Sequence, residues 1–218
     1  MTKYCDEVDI TDEKTHGKLI NLIGKNKKVL EIGCTNGRMS KFLAQNGCQV
    51  TGIEIDSLRA QTAKQFCSEV IIGDVEDESV QSQIKGTFDV VIFADVLEHL
   101  VYPEKILTKM HKFLNEGSFI LISLPNVAYF TVRKKLLFGM FEYETKGGIL
   151  DNEHLRFFTL DTAKKMILDC GYEIEYFDVI SIPRFKKYRF IYKLSKKFPA
   201  LFAYEFIFKI KPNLKDKI

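Results

Sequence analysis

Residues 28–56 read KVLEIGCTNGRMSKFLAQNGCQVTGIEID. Val29, Leu30 and Ile32 form a short apolar run that ends in a tight glycine turn, Gly33-Cys34-Thr35-Asn36-Gly37. A helix-compatible segment follows, and then a second β-rich run that ends in the acid Glu54. Strand, glycine turn, helix, strand and acid are the parts with which an open parallel sheet holds an adenosyl ligand. The glycines here follow E-x-G-x-x-x-G rather than G-x-G-x-x-G. A dinucleotide site needs the close glycine pair that brings a pyrophosphate to a helix N-terminus, and Thr35 stands where that second glycine would be. Glu31 at the strand end faces the loop; it would repel a pyrophosphate and suits a ligand carrying a cationic amino group, such as S-adenosylmethionine.

Outward from this stretch, apolar strand candidates recur at 28–32, 49–54, 69–72, 88–93 and 118–124, with helical patterns between them. That alternation predicts βαβ units and a parallel sheet buried on both faces. Pro103 marks the start of a helix carrying Ile106, Leu107, Met110 and Phe113, and Asn115-Glu116-Gly117 signals a turn after it. Beyond Pro125 the alternation stops. Residues 126–140 read as an amphipathic helix and 141–156 as a loop. Thr159 caps a further helix closed by Gly171. Strands at 172–182 and about 203–211 complete the pattern. Phe206, Phe208 and Ile210 alternate with Glu205 and Lys209, which predicts a strand that is half-exposed or near an edge. The expected fold class is α/β, a doubly wound, mostly parallel seven-stranded sheet. It forms one domain over 1–218, with a core at about 25–125 and 157–218 and an inserted lid at about 126–156.

With 218 residues, 46% of them apolar and 28% charged, the composition fits a globular domain with a substantial core. No run reaches membrane-spanning length, and MTKYCDEVD is no secretory signal. Five cysteines without a C-x-x-C pair fit reduced thiols, and hence a cytoplasmic location. A net charge of +3 argues against a nucleic-acid partner. Residues 184–197, RFKKYRFIYKLSKK, interleave basic and aromatic side chains. This stretch reads either as a solvated helix packed on the sheet or as a contact for an anionic membrane surface or a lipid carrier.

Four ordered motifs, LEIGCTNG, VTGIEID, IIGDVED and FDVVIFADVLEHL, make the chain resemble the class I S-adenosylmethionine-dependent methyltransferases over about residues 25–180. The resemblance implies S-adenosylmethionine as cofactor and S-adenosylhomocysteine as product. It implies that Glu31, Gly33, Cys34 and Gly37 surround the methionine end, and that Glu54 and Ile55 lie at the ribose. It further implies Asp74 and Val75 at the adenine, with Ala94 and Asp95 on the floor beside the sulfonium.

A sulfonium is already activated, so the protein must align an acceptor, exclude water and, for an oxygen acceptor, manage its proton. Asp95, Glu98 and His99 in DVLEHL and His154 in ILDNEHLRFFT are the candidates. The D-x-x-E-H cluster resembles the E-x-x-E-H of metal-assisted ubiquinone-pathway O-methyltransferases and of RNA 3′-end 2′-O-methyltransferases. Three readings stay open: capping of the strand-to-helix turn, ligation of a divalent ion, and direct acid–base work. His154 is flanked by Asp151 and Glu153, and a neighbouring carboxylate would raise its pKa.

The segment from Ser123 to Tyr172 resembles methyltransferases associated with glycosyltransferases and polysaccharide clusters, and a methyltransferase-like protein of methionine biosynthesis. The first implies O-methylation of a sugar, glycan or other small hydroxylated acceptor. The second implies a cofactor-binding partner of a biosynthetic enzyme.

Overall fold

The computed structural model describes residues 14–145, 147–181 and 189–213. The chain opens with α1 (Thr15–Ile23), β1 (Lys28–Ile32), α2 (Arg38–Gln45), β2 (Gln49–Glu54), α3 (Ser57–Ala63) and β3 (Glu69–Ile72). It continues through α4 (Glu78–Gln81), β4 (Phe88–Ala94), a 3-10 turn (Leu97–His99), α5 (Pro103–Lys109), a second 3-10 turn (Met110–Phe113) and β5 (Leu114–Pro125). Then come α6 (Phe130–Leu137), α7 (Leu160–Asp169), β6 (Tyr172–Ile180), α8 (Arg189–Lys197), α9 (Pro199–Phe202) and β7 (Glu205–Pro212).

Seven strands form one sheet in the order β3-β2-β1-β4-β5-β7-β6. The first five pair in parallel, and β7 runs antiparallel to both β5 and β6. Strand order reverses between β1 and β4, and the carboxyl ends there form the crevice in which open α/β sheets bind ligands. Helices on both faces require strands that are apolar on both. Val91, Phe93 and Ile122 pack on one side with Leu107 of α5 and Ile167 of α7. Val90, Ile92 and Leu121 pack on the other with Leu19 and Ile20 of α1 and Leu43 of α2. The local signals hold: Pro103 is the first residue of α5, and Thr159 forms a capping box with Thr162 at the start of α7.

Three expectations change. The helix expected over 126–140 forms only from Phe130 to Leu137. The fully buried Asn126 side chain accepts the Ala128 N–H at 3.0 Å and donates to the Ala203 carbonyl at 2.8 Å. That local turn competes with helix. The turn expected at 115–117 is drawn into β5, where Gly117 at φ +80° bends the strand and its pairing with β4 slips.

The last strand lies near the sheet edge as expected, between β5 and the edge strand β6, but it is mostly buried rather than half-exposed. Its polar positions have individual partners. Lys209 pairs with Glu175 at 2.8 Å and lies over the Phe119 ring, while Glu205 turns into the crevice.

Lys18 of α1 and Lys196 of α8 both pair with the buried Asp178 of β6. Of the basic aromatic stretch, Phe185 and Tyr188 lie outside the described residues. Among the described residues no helix is long and apolar enough to cross a membrane.

Candidate active site

At the strands' carboxyl ends lies a cavity of about 490 Å³, a size that suits a drug- or cofactor-sized ligand. In sheet order it runs from Asp74 and Val75 after β3, past Glu54 and Ile55 at the end of β2 and Gly33 after β1, to Ala94 and Asp95 after β4. Its other side is closed by Glu98, His99, His154 and Glu205. Cys34 and Gly37 do not line it. Their loop does its work through the backbone, with the Cys34 side chain turned down against β2.

The loop conformation explains its glycines. Gly33 and Gly37 adopt φ of +70° and +76°, where a side chain is strained, and a Cβ on Gly33 would stand 2.8 Å from the Val96 side chain. Thr35 adopts φ +48° without that freedom. Its N–H is held by Glu54 Oε2 at 2.8 Å, while Glu54 Oε1 accepts the Asp56 N–H at 2.9 Å. One carboxylate therefore fixes the glycine turn and the exit of β2 together.

Asp74 accepts the Glu76 N–H, and Glu76 in turn accepts the N–H groups of Val101 and Tyr102. Glu31 is buried, accepts a 2.6 Å bond from Ser40 Oγ, and has its carboxyl pushed up to about 8 by burial. An acid held neutral in this way ionises when a cation arrives beside it.

The far side of the cavity is a cluster of titratable groups. Asp95, at φ +53°, accepts the Ser123 hydroxyl at 2.8 Å and donates its own N–H to the same oxygen. Beside it, Glu205 accepts the Thr15 hydroxyl at 2.7 Å, and burial followed by the Asp95 charge raises its pKa well above the usual carboxylate range. Glu98 is 1% exposed and neither of its carboxylate oxygens has a hydrogen-bond partner. Burial again leads the causes that raise its pKa well above the usual carboxylate range, with the Asp95 charge next.

The Glu98 main-chain carbonyl accepts N–H bonds from Leu155 and Arg156 at 2.8 and 2.9 Å. Those bonds bring His154 beside His99, their ring centroids 4.8 Å apart. Each histidine's Nδ1 bonds a main-chain carbonyl, Glu153 for His99 and Ile149 for His154, both at 3.1 Å. A carbonyl only accepts, so Nδ1 is the donor in each ring, which in the neutral tautomer leaves the lone pair on Nε2. One ligand atom from each of Glu98, His99 and His154 lies within 4.8 Å of the others. The expected rise in the His154 pKa is overturned: burial, and then His99, lower it, outweighing Asp151. A neutral imidazole at this position is a ligand or a hydrogen-bond acceptor.

Sequence reasoning missed His16, Arg38, Tyr204 and Glu205, all of which line the cavity. His16 rides on α1, and burial lowers its pKa. The helical spacing of Leu19, Ile20 and Ile23 was the available signal. Glu205 carried none, since a charge in an alternating strand reads as a solvent position.

A family model described as a methyltransferase domain matches residues 13–176. A ubiquinone biosynthesis O-methyltransferase of Psychrobacter arcticus is 28% identical over 185 residues, which span 79% of this chain and 70% of that protein. One of Pseudomonas aeruginosa is 33% identical over 104 residues, 46% of this chain and 45% of that protein. Among solved structures, magnesium protoporphyrin IX methyltransferase of Synechocystis, with S-adenosylhomocysteine bound, has a TM-score of 0.62 at 18% identity, covering 91% of this chain and 82% of that one. A SAM-dependent methyltransferase of Archaeoglobus fulgidus gives 0.62 at 19% identity, with 89% and 90% covered. At these identities the structures speak for the fold, while the family match spans most of the chain. The chain belongs to the methyltransferase domain family and is a class I S-adenosylmethionine-dependent methyltransferase.

Proposed function

We propose that this enzyme moves the methyl group of S-adenosylmethionine to a hydroxyl oxygen, and that Glu98, His99 and His154 hold a divalent cation at the acceptor. Glu98 carries the reading. A buried carboxyl with two unpartnered oxygens is expensive to keep, and one ring nitrogen of each of two histidines lies within 4.8 Å of one of them. Oxygen and nitrogen donors together suit a divalent ion, which when bound polarises an acceptor oxygen as a Lewis acid. Asp95 is outside this ligand set, so the aspartate in D-x-x-E-H takes nothing from it.

The chain's own residues do the remaining work. Glu54 receives the ribose hydroxyls, and Ile55, Asp74 and Val75 hold the adenine. Glu31 ionises against the amino group of the methionine end, above the backbone of Gly33, Cys34 and Gly37. Arg38 supplies the positive side for its carboxylate. Ala94 and Asp95 form the floor. Asp95, fixed by Ser123, takes the acceptor's proton. Residues 126–156 act as the lid, bringing His154 to the acceptor and excluding water.

The relatives are named for O-methylation in ubiquinone biosynthesis, which supports oxygen as the accepting atom and lends nothing to a sugar. A lipid-borne hydroxylated acceptor suits the exposed Leu137 (81%) and Phe138 (67%) at the end of α6, with Lys134 and Lys135 beside them. The partner-protein and RNA readings gain no support.

The test is transfer of labelled methyl to a panel of hydroxylated aromatic lipids and sugars, with magnesium, manganese or zinc and with chelator. The expected result is a metal-dependent methyl ether on the aromatic lipid. Undiminished transfer after complete chelation overturns the metal; failure to bind S-adenosylhomocysteine overturns the whole cavity reading.

A further inference from the structure

Gly52 lies in the middle of β2, where a β-branched residue would ordinarily pack better. A Cβ there would stand 2.5 Å from Cys34 Sγ and 3.4 Å from Cys67 Sγ. Two sulfurs therefore crowd around one point, one from the glycine turn after β1 and the other from the junction between α3 and β3. The two cysteines are reduced and unequal: Cys34 is 1% exposed, whereas Cys67 is half-buried.

We propose that Cys34 and Cys67 form an oxidation site, with Cys67 the thiol that meets a hydroperoxide and Cys34 the thiol that resolves it into a disulfide under the cofactor loop. Its neighbour Cys34 leads the causes that lower the Cys67 thiol to about 7, with burial working against it. Cys67 in turn, and then burial, push the Cys34 thiol the other way. This is the division of labour of an attacking and a resolving cysteine.

The chemistry balances. The Cys67 sulfur attacks one peroxide oxygen, an S–O bond forms as the O–O bond breaks, and the departing hydroxide leaves as water with the Cys67 proton. The Cys34 sulfur then attacks the Cys67 sulfur; S–S forms, S–O breaks, and the second water leaves with the Cys34 proton. Two electrons from the thiols reduce one peroxide.

The site is wired to the cavity. Ser40, which donates to Glu31 at 2.6 Å, is also among the groups acting on the Cys67 thiol, so the thiol pair adjoins the cavity wall at Glu31. A disulfide would also tie the loop that carries Thr35, and Thr35 is fixed by Glu54. Oxidation therefore weakens cofactor binding, and bound cofactor slows oxidation by the same coupling. This second part rests on the proposed cofactor site; the disulfide itself does not.

The experiment treats the reduced full-length chain with stoichiometric hydrogen peroxide, blocks free thiols and maps the peptides. The expected product is a Cys34–Cys67 linked peptide that dithiothreitol reverses, with Cys48 and Cys170 still free. Cys34→Ser should stop at a Cys67 sulfenic acid that dimedone traps, and Cys67→Ser should consume peroxide far more slowly. Titration with S-adenosylhomocysteine should show binding weakened about tenfold in the oxidised chain and restored on reduction. Oxidation spread over Cys48, Cys170 or Cys5, or no linked peptide in the wild-type chain, overturns the site. A linked peptide with unchanged affinity overturns the coupling. Failure of the reduced chain to bind S-adenosylhomocysteine breaks the cofactor reading alone.

Discussion

The two sides of the cavity are built in different ways. On the donor side, backbone geometry and a few carboxylates do the work: Gly33, Thr35 and Gly37 at positive φ, and Glu54 holding two N–H groups. These parts come from short strand-to-helix turns, each contiguous in sequence. On the acceptor side, Asp95, Glu98 and His99 follow β4, His154 comes from the segment after β5, Glu205 from β7 and His16 from α1. That side is made of buried titratable groups brought together by tertiary contacts. A binding site for a constant ligand can be written locally, whereas a site for a variable one is assembled from the parts a fold can change.

The sharpest way to break this comparison is to cut one side and measure the other. His154→Ala or Glu98→Gln should lower methyl transfer by at least about 100-fold while leaving S-adenosylhomocysteine affinity close to wild type. Equal losses in both, read by calorimetry and turnover, would mean that the two sides are one unit. The reciprocal cut is Glu54→Ala. Losing charge-assisted bonds of about 1.5–3 kcal/mol should weaken S-adenosylhomocysteine binding by roughly 10- to 100-fold. Turnover at saturating cofactor should fall much less.

Beneath the donor side, Gly52→Ala places a Cβ 2.5 Å from the Cys34 sulfur. Overpacking of that kind should destabilise the chain by about 1–3 kcal/mol, visible as a lower thermal midpoint.

The remaining effect is electrostatic. The Glu31 pKa rises from 4.5 to about 8 on folding, so the folded chain keeps a proton that the unfolded chain loses. Its contribution to stability is whole below pH 4.5, declines as pH rises and is gone above about 8. Thermal midpoints measured across that range should slope less for Glu31→Gln. Ligand affinity in the wild type should run the opposite way, strengthening toward pH 8 as Glu31 ionises. A flat affinity profile would separate Glu31 from the ligand's amino group.

Legibility in the sequence follows the same division. Glu31, Gly33, Glu54 and Asp74 were readable because a strand, a turn and the next strand fix their spacing within a few tens of residues. The sheet was readable because central parallel strands are apolar throughout. Glu205 was not. Its burial depends on a pairing between β5 and β7 across some eighty intervening residues, and its alternating neighbours mimic an exposed strand. His16 was overlooked for a simpler reason, a short amphipathic helix next to a polar N-terminus. His154 was placed correctly near the acceptor, but its pKa was read from the acids beside it in sequence. In the fold, burial and a second imidazole outweigh them.

Glu98 is joined to the inserted segment at both ends of the residue. Its carbonyl holds Leu155 and Arg156, and its carboxyl lines the same cavity as His154. Lifting residues 151–156 thus breaks two backbone bonds and hydrates the acid in a single movement. The buried acid and the segment are thus mechanically one piece: any change that loosens the turn after β4 loosens residues 155–156 with it.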